Sequence, residues 1–189
     1  EPMKSINTLN LRGCININTH QILYILNACT SVKDLDLSFL KAVDDEVLKT
    51  VAMRFQSTLK ILQVRYWHNI TMEGFETFWE ELSGYRKVYQ EYIEQSKDTK
   101  KLKYHFPTKS KLVRLNLADN KQIKNECMKS IAHFLFPVLG ELNIWGNHYI
   151  DNDGFLALCV VKSDNFKRIN YCGWYKISDD SRLWVSQQF

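Results

Sequence analysis

Apolar residues recur at fixed distances along the chain. Leu9 opens a segment in which further apolar residues stand two, five and eight positions later, at Leu11, Cys14 and Ile17. We number these positions from the opening residue as +2, +5 and +8. The same spacing returns, with asparagine at two of the +5 positions, in five more segments that open at Leu35, Leu62, Leu115, Leu142 and Ile169. Such repetition predicts a solenoid, in which each unit buries its apolar face against its neighbours.

Each segment has the composition of a short strand followed by a helix. A polar cluster follows the +8 residue, as at Asp44–Glu46 and Asp151–Asp153, and its oxygens suit the free amide groups of a helix start. Apolar residues return at +13 and +16 on one helix face, as at Leu48 and Val51, although Arg182 occupies +13 in the last unit. The pattern predicts an α/β leucine-rich-repeat solenoid (horseshoe), with short parallel strands on the concave side and helices on the convex side.

The spacing between units is 26 or 27 residues, except between the third and fourth units, where it is 53 residues. A hidden repeat beginning at Val88 would account for this length, but the required apolar offsets carry mostly polar residues. Helical spacing instead continues from Phe75 to Ile93, and Ser83-Gly84 either ends this helix or kinks it. We therefore predict one domain of six repeats over residues 1–189, with an insertion at about 84–111 on the convex or edge side.

The cysteine and glycine positions within the units match the consensus of a known repeat family. The units follow L-x-x-L-x-L-x-x-C-x-x-I-[TSD]-D-x-G-[LF]-x-x-[LI], most closely at Ile70–Phe75 and Ile150–Phe155, while Cys14 and Cys29 supply the two cysteine positions. In this the chain resembles the cysteine-containing leucine-rich repeats of F-box proteins and of related mitotic-exit and axonemal proteins. The resemblance covers nearly everything except the insertion and implies a protein partner, although no segment resembles the F-box itself.

Composition limits the compartment and the class of protein. Five cysteines without C-x-x-C spacing favour neither a zinc site nor a disulfide framework, so we expect a reducing, intracellular location, cytoplasmic or else in the nucleus, cilium or cytoskeleton. No apolar run approaches the roughly 18 residues of a spanning helix, so we expect no membrane association. The sequence opens almost directly on a strand core, and we expect it to be a piece of a longer protein.

The sequence lacks a catalytic constellation. Its five histidines never fall at metal-binding spacing, and G-x-S-x-G, H-E-x-x-H and phosphate-binding glycine motifs are missing. Cys14 occupies the +5 position, where a Cys or Asn side chain satisfies the tight turn after the strand, as we expect of Asn120 and Asn147. We therefore predict a chain that is not an enzyme and binds neither metal nor cofactor.

Strand alternation defines a candidate interaction surface. If the opening and +2 residues point inward, the residues at −1, +1 and +3 face outward on the concave sheet. The +1 residues form a polar file that solvent exposure alone explains: Asn10, Asp36, Gln63, Asn116, Asn143 and Asn170. Trp and Arg are enriched where interfaces concentrate binding energy. We therefore predict a partner-binding site centred on Trp145, with Arg65, Arg114, Asn116, Asn143 and Arg168 around it.

Two further features lie outside the predicted strands. Trp67 belongs to the predicted core, whereas Tyr66 and His68 lie in the loop leaving the strand, where we interpret them as packing against a neighbouring repeat. Residues 85–111 hold eight lysines and arginines against three acids, so they carry the basicity of a chain whose net charge is +4. A solvated loop explains this charge, and contact with a nucleic acid or an acidic protein is the alternative.

The sequence thus favours a non-enzymatic protein-protein interaction scaffold, a leucine-rich-repeat subunit of a larger intracellular assembly such as an axonemal or cytoskeletal complex. The family resemblance implies a second function, the substrate-recognition module of an F-box-type ubiquitin ligase. Association with a nucleic acid through the basic insertion is the third.

Overall fold

The computed structural model describes residues 5–84, 109–135, 138–160, 163–171 and 176–186. Within them, six three-residue strands form one parallel sheet in chain order: β1 (Thr8–Asn10), β2 (Asp34–Asp36), β3 (Ile61–Gln63), β4 (Arg114–Asn116), β5 (Glu141–Asn143) and β6 (Arg168–Asn170). Each opening residue is aligned with the next, so that Leu62 pairs with Leu115 across the long interval. This register confirms the predicted repeat.

A helix follows each strand, and its position confirms the predicted α/β leucine-rich-repeat solenoid. The described helices are α1 (Thr19–Ala28), α2 (Asp45–Phe55), α3 (Met72–Ser83), α4 (Asn125–Phe134), α5 (Asn152–Val160) and α6 (Asp179–Ser186). Consecutive helices pack side by side along the sheet. Because parallel strands need a crossover connection, the helices form a second layer over one sheet face.

The core lies between the two layers and is made of the predicted apolar positions. Leu35, Leu37, Leu48 and Val51 are all fully buried, and the other interior units repeat this burial. In the first unit Leu9 is only partly buried, because a described repeat packs on just one side of it. The continuous core explains how units too small to fold alone become stable when stacked.

Asparagines at +5 join neighbouring repeats inside the core. The Nδ2 group of Asn120 donates to the carbonyl oxygens of Val64 (2.7 Å) and Leu117 (2.9 Å), and its Oδ1 accepts from the Trp67 amide (2.5 Å). Asn147 repeats this arrangement one unit later, bonding to the Asn120 amide and the Leu117 carbonyl. We call this the asparagine ladder, and it confirms the turn-satisfying role predicted for Asn120 and Asn147.

The same prediction is wrong for Cys14, whose side chain is exposed. The two asparagines reach toward the preceding repeat, and no described repeat precedes the first one. Three other positions predicted to face solvent, Asp36, Ser38 and Ala118, are buried. The Ser38 hydroxyl accepts from the Arg65 amide (3.2 Å), and the carboxylate of Asp36 accepts from the Ser38 amide (2.9 Å). Asp36 and Ser38 are therefore committed to hydrogen bonds with the backbone of their own and the next repeat.

Hydrogen bonds at the helix starts form a second ladder, which we call the cap ladder. Asn18, Asp44 and Thr71 cap their helices as predicted. The first helical residue of one unit also bonds to the cap residue of the next: Thr19 to Asp44, Asp45 to Thr71, Asn125 to Asp151, and Asn152 to Ser178. The described contacts show no such bond between Met72 and Lys124, and Lys124 makes no side-chain cap.

Gly74 lets α3 approach the cap ladder closely. A Cβ atom at this position would overlap the carboxylate of Asp45. We expect Gly74→Ala to lower the free energy of unfolding by about 1–3 kcal/mol, as overpacking does. Urea unfolding would measure this loss, with Glu73→Ala as the exposed control. Because Asp45→Ala removes the overlapping group, the double variant should lose less than the two single losses added together, and full additivity would contradict this explanation.

The two ends of the predicted insertion meet at the end of α3. Helix α3 ends at Ser83, and Gly84 closes it in a left-handed conformation (φ 72°). The Lys109 amide donates to the Ser83 carbonyl oxygen (2.7 Å), and Ser110 is buried. The continuation of the helix toward Ile93 and most of the basic segment lie outside the described residues.

Because the chain leaves and returns at one point, we expect residues 86–107 to be dispensable for folding. Replacing them with a short Gly-Ser link should keep unfolding cooperative and change its free energy by less than about 1 kcal/mol, since loop closure depends weakly on length. Circular dichroism during denaturation measures both properties. Loss of the cooperative transition would instead identify this segment as a repeat or a core element.

Candidate functional site

Polar residues of the sheet face fix the turns that follow the strands. The Oδ1 atoms of Asn116 and Asn143 accept from the backbone amides of Ala118 (3.2 Å) and Trp145 (3.1 Å), two residues later. Asn10 makes the same bond to Arg12 (2.9 Å). The two asparagines predicted to bind a partner therefore also hold the backbone from which Trp145 projects.

Three charged residues of the −1 row form one ion group. Glu141 lies between Arg114 and Arg168, with oxygen–nitrogen distances of 3.3 Å and 4.0 Å. The two arginine side chains stay largely exposed, so the pairs contribute little to stability. Because the guanidinium groups of Arg114 and Arg168 share the single carboxylate of Glu141, this group of three residues has a net positive charge.

Trp145 and Arg65 occupy the +3 row but have different surroundings. The indole of Trp145 is 41% exposed, as expected of an anchor for a partner. Arg65 instead forms an ion pair with Asp119 (2.8 Å), and its guanidinium lies over the ring of Phe39 (5.3 Å). The structure therefore joins Arg114 to Arg168 through Glu141, and it places Arg65 with the aromatic residues at the strand exits.

The position after the +3 row, +4, has left-handed backbone in every unit where it is described. Glycine fills it at Gly13 and Gly146, but Phe39 (φ 63°), Tyr66 (φ 63°) and Asp119 (φ 59°) fill it elsewhere. Bulky side chains rarely adopt this conformation, because the Cβ atom crowds the following carbonyl oxygen. The two aromatic residues are thus held in an unfavourable backbone conformation by the surrounding repeat.

The aromatic residues and their cationic neighbours form a cluster that the sequence pattern did not reveal. We call Arg12, Phe39, Arg65, Tyr66 and His68 the rim cluster. Phe39 and Tyr66 stack with ring centroids 5.8 Å apart, and the His68 ring meets Tyr66 edge-on at 4.5 Å. Trp67 is buried as predicted, and Tyr66 does pack against the neighbouring repeat while remaining 44% exposed. The available signal was an aromatic residue at +4, where the first, fifth and sixth units carry glycine and the fourth carries Asp119.

The buried cysteines are poorly suited to nucleophilic chemistry. Burial raises the pKa of the Cys127 thiol to about 11, and burial also raises the pKa of Cys29 against the opposing effect of Arg54. Across the part of the chain that the structure describes, no group of three His, Cys, Asp or Glu residues is placed to hold a metal ion. Among the same residues, no helix combines the length and apolar character needed to cross a bilayer.

Comparison with known proteins supports the fold. No family model and no curated protein matches the sequence. Among solved structures, a chain of the crystal structure of the Rad7 and Elc1 complex in yeast is similar, with a TM-score of 0.52 and 11% sequence identity. The match covers 96% of this chain and 47% of that one, so this chain spans about half the length of the yeast chain. At this identity the likeness is one of fold.

Proposed function

We propose that this chain is a non-enzymatic scaffold that binds another protein through the outward face of its sheet. The observation that carries the proposal is the exposure of Trp145 on a sheet face that also carries the largely exposed side chains of Arg114 and Arg168. The strands of this face are hydrogen-bonded to their neighbours. A rigid sheet presents such side chains with little loss of conformational entropy on binding. A leucine-rich-repeat fold supports this function, because stacked repeats present an extended surface.

The proposed binding site consists of one apolar anchor and several polar residues around it. Trp145 offers a large, stiff apolar surface, and Arg114, Arg168 and Arg65 offer planar groups of donors for carboxylates and carbonyls. Asn116 and Asn143 use Oδ1 for their turns, which leaves each Nδ2 group to donate to a partner. We assign the binding site to these six residues.

A substrate-recognition role in a ubiquitin ligase is the second candidate. The resemblance to F-box repeat proteins favours it, and the similar yeast chain comes from a complex of two proteins. An intracellular, cytoplasmic location fits both candidates. A cytoskeletal assembly and binding of nucleic acid through the basic insertion rest on the sequence alone.

Affinity capture from cells, followed by binding measurements with the purified partner, tests the proposal. We expect Trp145→Ala and Arg114→Glu each to weaken binding about tenfold or more, as at other aromatic and arginine hot spots. Tyr24→Ala is the matched control, because Tyr24 is 79% exposed on α1. A variant with reversed charges in the insertion completes the set. Binding that survives both sheet variants and is lost only in the insertion variant would contradict the proposal.

A further inference from the structure

Two residues of the rim cluster, Phe39 and Tyr66, occupy a position where the repeat geometry favours glycine. Gly13 and Gly146 show what the turn requires, yet Phe39 and Tyr66 stand at the same offset with φ of 63°. Unfavourable backbone conformations persist where the neighbouring structure imposes them, and they concentrate at binding sites. The left-handed backbone of Phe39 and Tyr66 therefore suggests that these two side chains contribute to binding.

Side-chain contacts make the rim cluster a rigid platform. The guanidinium carbons of Arg12 and Arg65 lie 5.2 Å and 5.3 Å from the centroid of the Phe39 ring. Stacking on an aromatic ring holds a guanidinium in place while its edge keeps N–H donors for a ligand. Tyr66 extends the platform outward, since it stacks on Phe39 and remains 44% exposed.

The charges of the platform are unequal. Asp119 neutralises Arg65 across a 2.8 Å ion pair. Arg12 is exposed and forms no ion pair with any residue in the described part of the chain. Of the two guanidinium groups that lie on the Phe39 ring, that of Arg65 is paired with a carboxylate and that of Arg12 is available to a second anionic group.

We propose that the rim cluster docks an extended acidic segment of a protein partner. A side-chain carboxylate binds the guanidinium edge of Arg12, and a neighbouring apolar side chain of the segment packs on Tyr66. This inference rests on the proposed scaffold function and adds to it a second contact, made by Arg12 and Tyr66, which borders the surface around Trp145 at Arg65.

The surrounding charge favours a peptide over a nucleic acid. Asp34, Asp119 and Glu141 lie on the same sheet face or at its rim, and the described residues carry equal numbers of acidic and basic side chains. A polyphosphate chain needs a continuous basic track, whereas a single carboxylate needs only one unpaired guanidinium. The platform meets the second requirement.

Selection of peptides from a phage-displayed random library on the intact chain tests this inference. We expect enrichment of sequences in which Asp or Glu adjoins an apolar residue. For a synthetic selected peptide, fluorescence anisotropy should show binding about tenfold weaker after Arg12→Gln or Tyr66→Gly. Replacing the acidic residue of the peptide by its amide should have the same effect, and Tyr24→Ala should have none. Because glycine fits a left-handed turn, Tyr66→Gly should stay folded with an unchanged or higher melting temperature.

The remaining outcomes separate the two proposals. Peptide binding that ignores the rim variants but disappears with Trp145→Ala overturns the rim assignment and leaves the scaffold function standing. Enrichment of peptides without acidic residues overturns the proposed partner chemistry. Binding of single-stranded RNA that depends on Arg12 overturns the choice of a protein partner. Recovery of no peptide, together with capture of no partner from cells, overturns both proposals.

Discussion

Replacing Leu117 with alanine is expected to lower the free energy of unfolding by about 2–5 kcal/mol, the range for a buried aliphatic residue whose cavity cannot close. Leu117 is fully buried in the fourth unit. Its backbone bonds to the next repeat, since its amide donates to the Asn143 carbonyl oxygen and its carbonyl oxygen accepts from both ladder asparagines. These bonds hold the backbone in place and limit relaxation into the cavity.

Chemical denaturation measures this loss, and Val113→Ala is the matched control. Val113 lies in the same unit but is 45% exposed, so its truncation should cost well under about 1 kcal/mol. A loss below about 1 kcal/mol for Leu117→Ala would mean that the fourth unit is stacked in a different register.

The second large effect is expected from Asn120→Ala, which should lower the free energy of unfolding by about 3 kcal/mol or more. The substitution leaves the Trp67 amide and the Val64 carbonyl without their Asn120 partner inside a dry core, and each lost partner costs about 1–3 kcal/mol. Asn120→Asp should also be harmful, because a carboxylate accepts from the amide but cannot donate to the carbonyl oxygens.

Cys14→Ala provides the control for the asparagine ladder, because Cys14 has the same offset in the repeat but is exposed. We expect this variant to match the unmodified protein within about 0.5 kcal/mol. Equal losses at Cys14 and Asn120 in thermal or urea unfolding would show that the position acts through the turn itself and that the ladder bonds contribute little.

The core was predictable because burial in a repeat depends on spacing. The spacing of Leu35 and Leu62 predicted the strand register, and the Ile70–Phe75 motif predicted a helix start. The packing role of Gly74 came from the structure, in which a Cβ atom would overlap the carboxylate of Asp45. Ser38 and Ala118 were mistaken for exposed residues, because alternation along one strand ignores how far side chains of adjacent strands reach. The exposure of Ser38 and Ala118 depends on the side chains of the adjacent strands, which the alternation along a single strand does not take into account.

The candidate surface was predictable only in part. Alternation placed Arg114, Trp145 and Arg168 on the outward face, but the ion group around Glu141 depends on side-chain lengths across three strands. The rim cluster depends on a backbone angle, φ at Phe39 and Tyr66, that hydrophobic periodicity does not encode. A search for bulky residues at glycine positions of a repeat would have found it.

The cap ladder is interrupted between Met72 and Lys124, so the helix starts of the third and fourth repeats lack the side-chain bond that joins the other described helix starts. The sheet continues across this joint through Leu62 and Leu115, and Asn120 bonds there to Val64 and Trp67. At the helix starts, the described contact is between the sulfur atoms of Met72 and Cys127 (3.4 Å). In a stacked repeat array, stability is the sum of unit and nearest-neighbour terms, so the weakest neighbour term sets where the array parts first. The missing cap bond lowers this term only at the helix edge, so under a pulling force applied at both ends the helix starts of the third and fourth repeats would separate before their strands do.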